Sequence, residues 1–78
     1  MSLEELYMPY NNLKELFDIS FLDKLVVLDL ECNKIDQIEE LRYLQRCKNL
    51  KYLTLEGNPV SKTHEIFSYI WTNFNFLE

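Results

Sequence analysis

Leucines and one asparagine recur at a fixed spacing three times in this chain, and a pattern repeated in register restricts it to folds built by stacking like units. The spacing is Leu-x-x-Leu-x-Leu-x-x-Asn followed two residues on by Ile, Leu or Val. It runs through Leu3, Leu6, Met8, Asn11 and Leu13, then Leu25, Leu28, Leu30, Asn33 and Ile35, then Leu50, Leu53, Leu55, Asn58 and Val60. The first two copies also match beyond the asparagine, with Leu16, Ile19 and Leu22 answered by Ile38, Leu41 and Leu44. A lone amphipathic helix or a stray strand does not produce such a match.

These residues resemble the leucine-rich repeat, in which a short strand turns through an asparagine into a helical or 3-10 segment. The second copy opens 22 residues after the first, a length similar to the short-repeat intracellular subclass. The resemblance implies an α/β solenoid, with parallel strands on a concave face and short helices or 3-10 segments on a convex face. The expected organisation is one domain over residues 1–78, with repeats at about 3–24, 25–49 and 50–60 and a cap over 61–78. The second copy is longer through Gln45, Arg46 and Cys47, so Glu39 to Cys47 is expected to form a true convex-side helix with Leu41, Leu44 and Cys47 inward.

In such a stack, strand leucines point inward and lie over their counterparts in the next coil. The asparagines stand where the chain turns, and their amides can satisfy backbone groups that would otherwise be buried unpaired. Asn11, Asn33 and Asn58 are therefore expected to form a ladder.

After Asn58 the periodicity ends. Leu55-Glu-Gly57-Asn58-Pro59-Val60 is similar to the segment that precedes the carboxy-terminal cap in short-repeat proteins of this family. Ile66, Ile70 and Phe74 share one helical face, with Phe67 and Trp71 on an adjacent one, which predicts a helix of roughly ten residues over the last coil. Ser61 or Thr63 is expected to cap its start, and Trp71 is expected in the core. The family's usual aromatic-Arg pair reads Phe67-Ser68 here, and its Leu-Pro reads Phe74-Asn75. On the amino-terminal side only Met1 and Ser2 precede the first leucine, so the first strand is expected to be open, as the end of a longer array or a surface covered by a partner, or in the alternative with two full repeats, a third strand and the cap standing alone, and with Pro9 blunting the edge.

Composition narrows function. A chain of 78 residues with a single glycine and 47% hydrophobic residues folds throughout and has no flexible linker. Its net charge of −5 argues against direct contact with nucleic acid phosphates, which draws on clustered Lys and Arg. Cys32 and Cys47 form no C-x-x-C motif, and the cysteine clusters that flank extracellular members of the family are missing. No apolar run reaches the roughly 18 residues of a membrane span. The expectation is an intracellular, most simply cytoplasmic protein, with cytoskeleton, cilium and nucleus also open. One histidine, His64, and two scattered cysteines supply neither a nucleophilic pair nor a zinc site, so no enzyme activity, metal or cofactor is expected.

The positions between the strand leucines are free of fold constraints. Glu5, Tyr7, Val27, Asp29, Glu31, Tyr52, Thr54 and Glu56 are expected on the concave sheet, with Tyr10 near its rim, as a contact surface for a protein partner with basic and apolar character. The convex residues Glu39, Glu40, Arg42, Gln45, Arg46 and Lys48 are expected to be solvated, with pairs such as Glu39 with Arg42. The resemblance implies a non-catalytic adaptor or regulatory module. A structural spacer in a large scaffold such as a ciliary or axonemal complex, and a protein component of a ribonucleoprotein, remain open alternatives.

Overall fold

The three leucine copies build three short strands that lie in register. A computed structural model describes residues 2–74 and residue 77. Strands β1 (Glu5–Tyr7), β2 (Val27–Asp29) and β3 (Tyr52–Thr54) form a parallel sheet in the order β1-β2-β3. Leu6 pairs with Leu28 and Leu28 with Leu53, so the central leucines stack as the spacing requires. Each strand is followed by a 3-10 segment, Asp18–Phe21, Ile38–Arg46 and Pro59–Lys62 in turn, and the single α-helix among the described residues, α1 (Ile66–Asn73), follows the last.

The second coil is the best covered, because it has a neighbour on each side. Leu25, Leu28, Leu30, Ile35, Leu41 and Leu44 have no exposed surface. In the outer coils Leu6, Met8, Leu13 and Leu53 are only partly buried, and Leu3 is 36% exposed. Burying a leucine fully is worth about 2 kcal/mol, and the middle coil supplies seven of the fourteen buried hydrophobic residues among those described, the largest share of any coil.

The convex segment Ile38–Arg46 is a 3-10 helix of nine residues, where a true helix was expected. Its inward residues explain the difference. Ile38, Leu41, Leu44 and Cys47 fall at intervals of three, as do Leu13, Leu16, Ile19 and Leu22 in the first coil, and a 3-10 helix lines up side chains at i and i+3. The tighter coil also suits strands spaced about 4.8 Å apart, which leave little room for α-helices about 10 Å wide side by side. Bonds between coils hold this long 3-10 run. Glu40 Oε1 accepts from the Leu16 N–H at 2.9 Å, and the buried Cys47 thiol donates to the Leu22 carbonyl at 3.5 Å. Burial pushes the Cys47 thiol above its ordinary pKa, which suits a packed residue and not a nucleophile.

Two of the three asparagines join neighbouring coils. Asn33 Oδ1 accepts from the Leu13 N–H at 3.0 Å, and its Nδ2 donates to the Met8 carbonyl at 2.8 Å and the Leu30 carbonyl at 3.0 Å. Asn58 repeats this one coil on, accepting from the Ile35 N–H at 3.1 Å and donating to the carbonyls of Leu30 at 2.7 Å and Leu55 at 3.0 Å. Asn11 departs from the expected ladder. It is exposed, and its Nδ2 donates only to the nearby Pro9 carbonyl at 3.1 Å, because each asparagine bonds backward and no described coil precedes the first.

The residue before each asparagine takes a left-handed backbone, with φ of 59° at Tyr10, 56° at Cys32 and 81° at Gly57. Only Gly57 needs to be glycine. A Cβ there would lie 2.6 Å from the Cys32 Sγ, so the thiol of one coil occupies the space a side chain would take in the next.

Helix α1 has eight residues, close to the expected length, and turns Ile66 and Phe74 into the core. Trp71 is 85% exposed, as is Phe67, so the expectation of a core tryptophan is wrong. Ile66, Ile70 and Phe74 take the inward stripe, and a helix this short against one coil has a single buried face. Neither Ser61 nor Thr63 caps the helix. Their hydroxyls donate instead to the Asn58 and Val60 carbonyls, at the start of the preceding 3-10 turn.

Asn58→Ala leaves the Ile35 N–H and the Leu30 and Leu55 carbonyls short of a partner, and should cost about 3 kcal/mol in a urea titration, whereas Asn11→Ala should cost under about 1 kcal/mol. Gly57→Ala should destabilise by about 1 to 3 kcal/mol through strain and the Cys32 clash. Combining it with Cys32→Ala should cost less than the two single changes added together, as measured by a double-mutant cycle of melting free energies.

Candidate partner-binding face

Alternation along each strand sends every second residue away from the leucines. The register aligns Glu5, Val27 and Tyr52 in one row across the sheet and Tyr7, Asp29 and Thr54 in the next. The coils stay paired beyond the strand ends. Tyr10 N–H donates to the Glu31 carbonyl at 2.9 Å and Cys32 N–H to the Glu56 carbonyl at 2.8 Å, which sets Pro9, Glu31 and Glu56 in a third row. All eight residues expected on this face therefore lie on it. Tyr7 and Tyr52 are 58% and 53% exposed, and Tyr10 at the rim is 75% exposed. Val27, Asp29 and Glu31, on the central coil, are half-buried between their neighbours.

The face is acidic, and its tyrosines feel the charge. The Tyr7 hydroxyl donates to Glu5 Oε1 at 3.1 Å. That bond raises the Tyr7 phenol above the ordinary tyrosine pKa, reinforced by slight burial and by the charges of Glu5 and Asp29. Tyr10 is raised as well, first by its hydrogen bond with Cys32, then by the charges of Cys32 and Glu31. Asp29 Oδ1 accepts from the Glu31 N–H at 3.0 Å, which fixes that carboxylate in the middle of the face. The result is a shallow surface with carboxylates for a cation and tyrosine rings for apolar or guanidinium groups.

Among the described residues β1 has no strand on its outer side. The N–H groups of Met8 and Tyr10 point toward the second coil, so alternation directs position 9 to the other side, where Pro9 offers no donor. Beside this edge is an open hollow of about 580 Å³ lined by the apolar Met8, Leu13 and Phe17 and by the charged Lys14, Glu15 and Asp18, among others.

The convex side holds what sequence reasoning missed. Phe17 and Phe21 are 52% and 59% exposed. Their rings meet edge to face at 5.2 Å, and Phe17 meets Tyr43 in the same way at 5.4 Å. Arg42 lies over Tyr43 at 5.0 Å and Arg46 over Phe21 at 5.9 Å. The expected Glu39–Arg42 pair does not form, because Arg42 donates to the Tyr43 hydroxyl at 3.1 Å. Among the described residues the ion pair is Lys14 with Asp36, at 3.6 Å on the surface. A useful signal was available in the sequence, since Phe17 and Phe21 fall between the inward Leu16, Ile19 and Leu22.

Among the described residues no group of three or more His, Cys, Asp and Glu side chains is placed to hold a metal ion, and no helix is long and apolar enough to cross a membrane.

Parallel strands in leucine register, joined by asparagine amides, define a repeat protein of the leucine-rich class. A leucine rich repeat family model matches residues 1–60, and the chain belongs to that family. It is similar to leucine-rich repeat-containing protein 56 of Homo sapiens, 49% identical over 59 residues, and to that of Rattus norvegicus, 48% identical over 60 residues. A homolog of the same protein in Trypanosoma brucei brucei is 38% identical over 66 residues. The matches cover 76%, 77% and 82% of this chain, which spans only 11%, 11% and 9% of those relatives. Domains of this family are typically protein-interaction modules and generally not enzymes.

Glu5→Ala removes both the hydrogen bond and the charge that hold the Tyr7 proton. The Tyr7 phenol should then titrate at lower pH than in the native chain, as followed by NMR of ring-labelled tyrosine.

Proposed function

We propose that this chain is a non-catalytic protein-interaction module whose strand face binds a partner segment carrying Arg or Lys together with apolar side chains. The reading takes the three coils as a short-repeat solenoid with α1 as its carboxy-terminal cap. One observation carries it: the register gathers Glu5, Asp29, Glu31 and Glu56 beside the exposed Tyr7 and Tyr52. Carboxylates next to exposed aromatic rings match the anchors that dominate protein interfaces.

A second reading concerns the β1 edge. Among the described residues no coil lies behind Asn11 and the edge is unpaired, and a hollow of mixed polar and apolar lining lies alongside. These features support a further repeat or a neighbouring subunit packed there, its turn carbonyls facing Asn11 as those of Met8 face Asn33.

A synthetic basic amphipathic peptide of alternating arginine and leucine serves as probe for the strand face. It should bind with an affinity that falls as salt rises. The combined change Glu31→Lys, Glu56→Lys and Tyr52→Ala should weaken it at least about tenfold, as measured by fluorescence anisotropy. Equal binding by the variant would refute the adaptor reading and favour a structural spacer whose strand face binds nothing. In a ribonucleoprotein the same face would meet a basic protein and not RNA, so added RNA should compete for the peptide without binding the chain.

A further inference from the structure

The chain carries a second surface of exposed aromatic rings, bordered by arginines where the strand face carries carboxylates. Phe17, Phe21 and Tyr43 form a continuous edge-to-face set on the 3-10 side, built from two adjacent coils. Large rings more than half exposed to water, as Phe17 and Phe21 are, gain free energy when a partner covers them. The backbone that carries Phe17 is anchored, since Leu16 and Ile19 on either side of it are buried in the core.

Charge selects the partner. Arg42 and Arg46 are exposed and stand over the Tyr43 and Phe21 rings, and neither is paired with a carboxylate among the described residues. In a protein of net charge −5, two guanidinium groups held at the border of an aromatic patch attract an anionic ligand, and their planar forks suit carboxylates. Arg42 gives one N–H to the Tyr43 hydroxyl and keeps its others for a partner, and Arg46, with its guanidinium over the Phe21 ring, keeps its own.

We infer that the Phe17–Phe21–Tyr43 patch, with Arg42 and Arg46, is a second docking site that takes an acidic amphipathic protein segment. Its apolar side chains cover the rings while its Asp or Glu carboxylates reach the two arginines. The site is on different residues from the strand face and stands whether or not that face binds a basic partner.

The test uses an acidic amphipathic peptide of glutamate with leucine and phenylalanine, and two controls, one with lysine for glutamate and one with serine for the apolar residues. Binding is followed by NMR of the chain. The acidic amphipathic peptide alone should shift Phe17, Phe21 and Tyr43. The double change Arg42→Glu and Arg46→Glu should weaken it about tenfold or more with the melting temperature unchanged. Phe17→Ala should do the same independently, so a folding defect in one variant leaves the other decisive. Equal binding by either control peptide, undiminished binding to both variants, or shifts confined to the strand face would overturn the assignment. So would movement of these ring signals with chain concentration alone, which would make the occupant a second copy.

Discussion

The carboxamide of a buried asparagine in the turn after the second and third strands is the interaction on which this structure depends. Strands of three residues are too short for sheet hydrogen bonds alone to hold them together. Every coil must also reverse direction within a few residues, leaving N–H and C=O groups that point into the stack. Asn33 and Asn58 satisfy those groups in their own coil and in the one before it. The leucines then bury without stranding backbone polar groups, whose unpaired burial would cost as much as the apolar contacts gain.

Once the coils are held in register, the residues that face outward are set by arithmetic. Alternation gives the sheet its exposed rows, and the threefold spacing of Leu13, Leu16, Ile19 and Leu22 leaves Phe17 and Phe21 outside. The two faces thus differ in charge because nothing in the packing dictates their residues. Both sides carry exposed aromatic rings, but those of the strand side stand beside carboxylates, and those of the other side lie under Arg42 and Arg46.

Much of this was legible in the sequence, and the reasons it was or was not are specific. Leu6, Leu28 and Leu53 could be placed because identical spacing forces identical positions. The eight strand-face residues followed from them. Asn11 shares the spacing of its counterparts but lacks their environment, since its partners would belong to a coil that comes before it. The 3-10 character of Ile38–Arg46 was present in the intervals of three, but a longer segment with mixed charges also fits an ordinary helix. Trp71 was expected in the core and lies in water, because an aromatic stripe at helical spacing reads alike whether it packs inward or stays exposed. The fit of the Cys32 thiol over Gly57 depends on two coils meeting in space, which no single repeat encodes.

The backward bonding of each asparagine also makes neighbouring coils interdependent. If the last coil lifts away, Asn58 leaves with it, and the Leu30 carbonyl and Ile35 N–H lose a partner inside the coil that stays. If the first coil frays, Asn33 keeps its bond to Leu30 but loses those to Leu13 and Met8. Melting is thereby driven toward an all-or-none event, although the architecture is modular, and a coil joined at the amino-terminal edge would extend the same cooperative unit through Asn11.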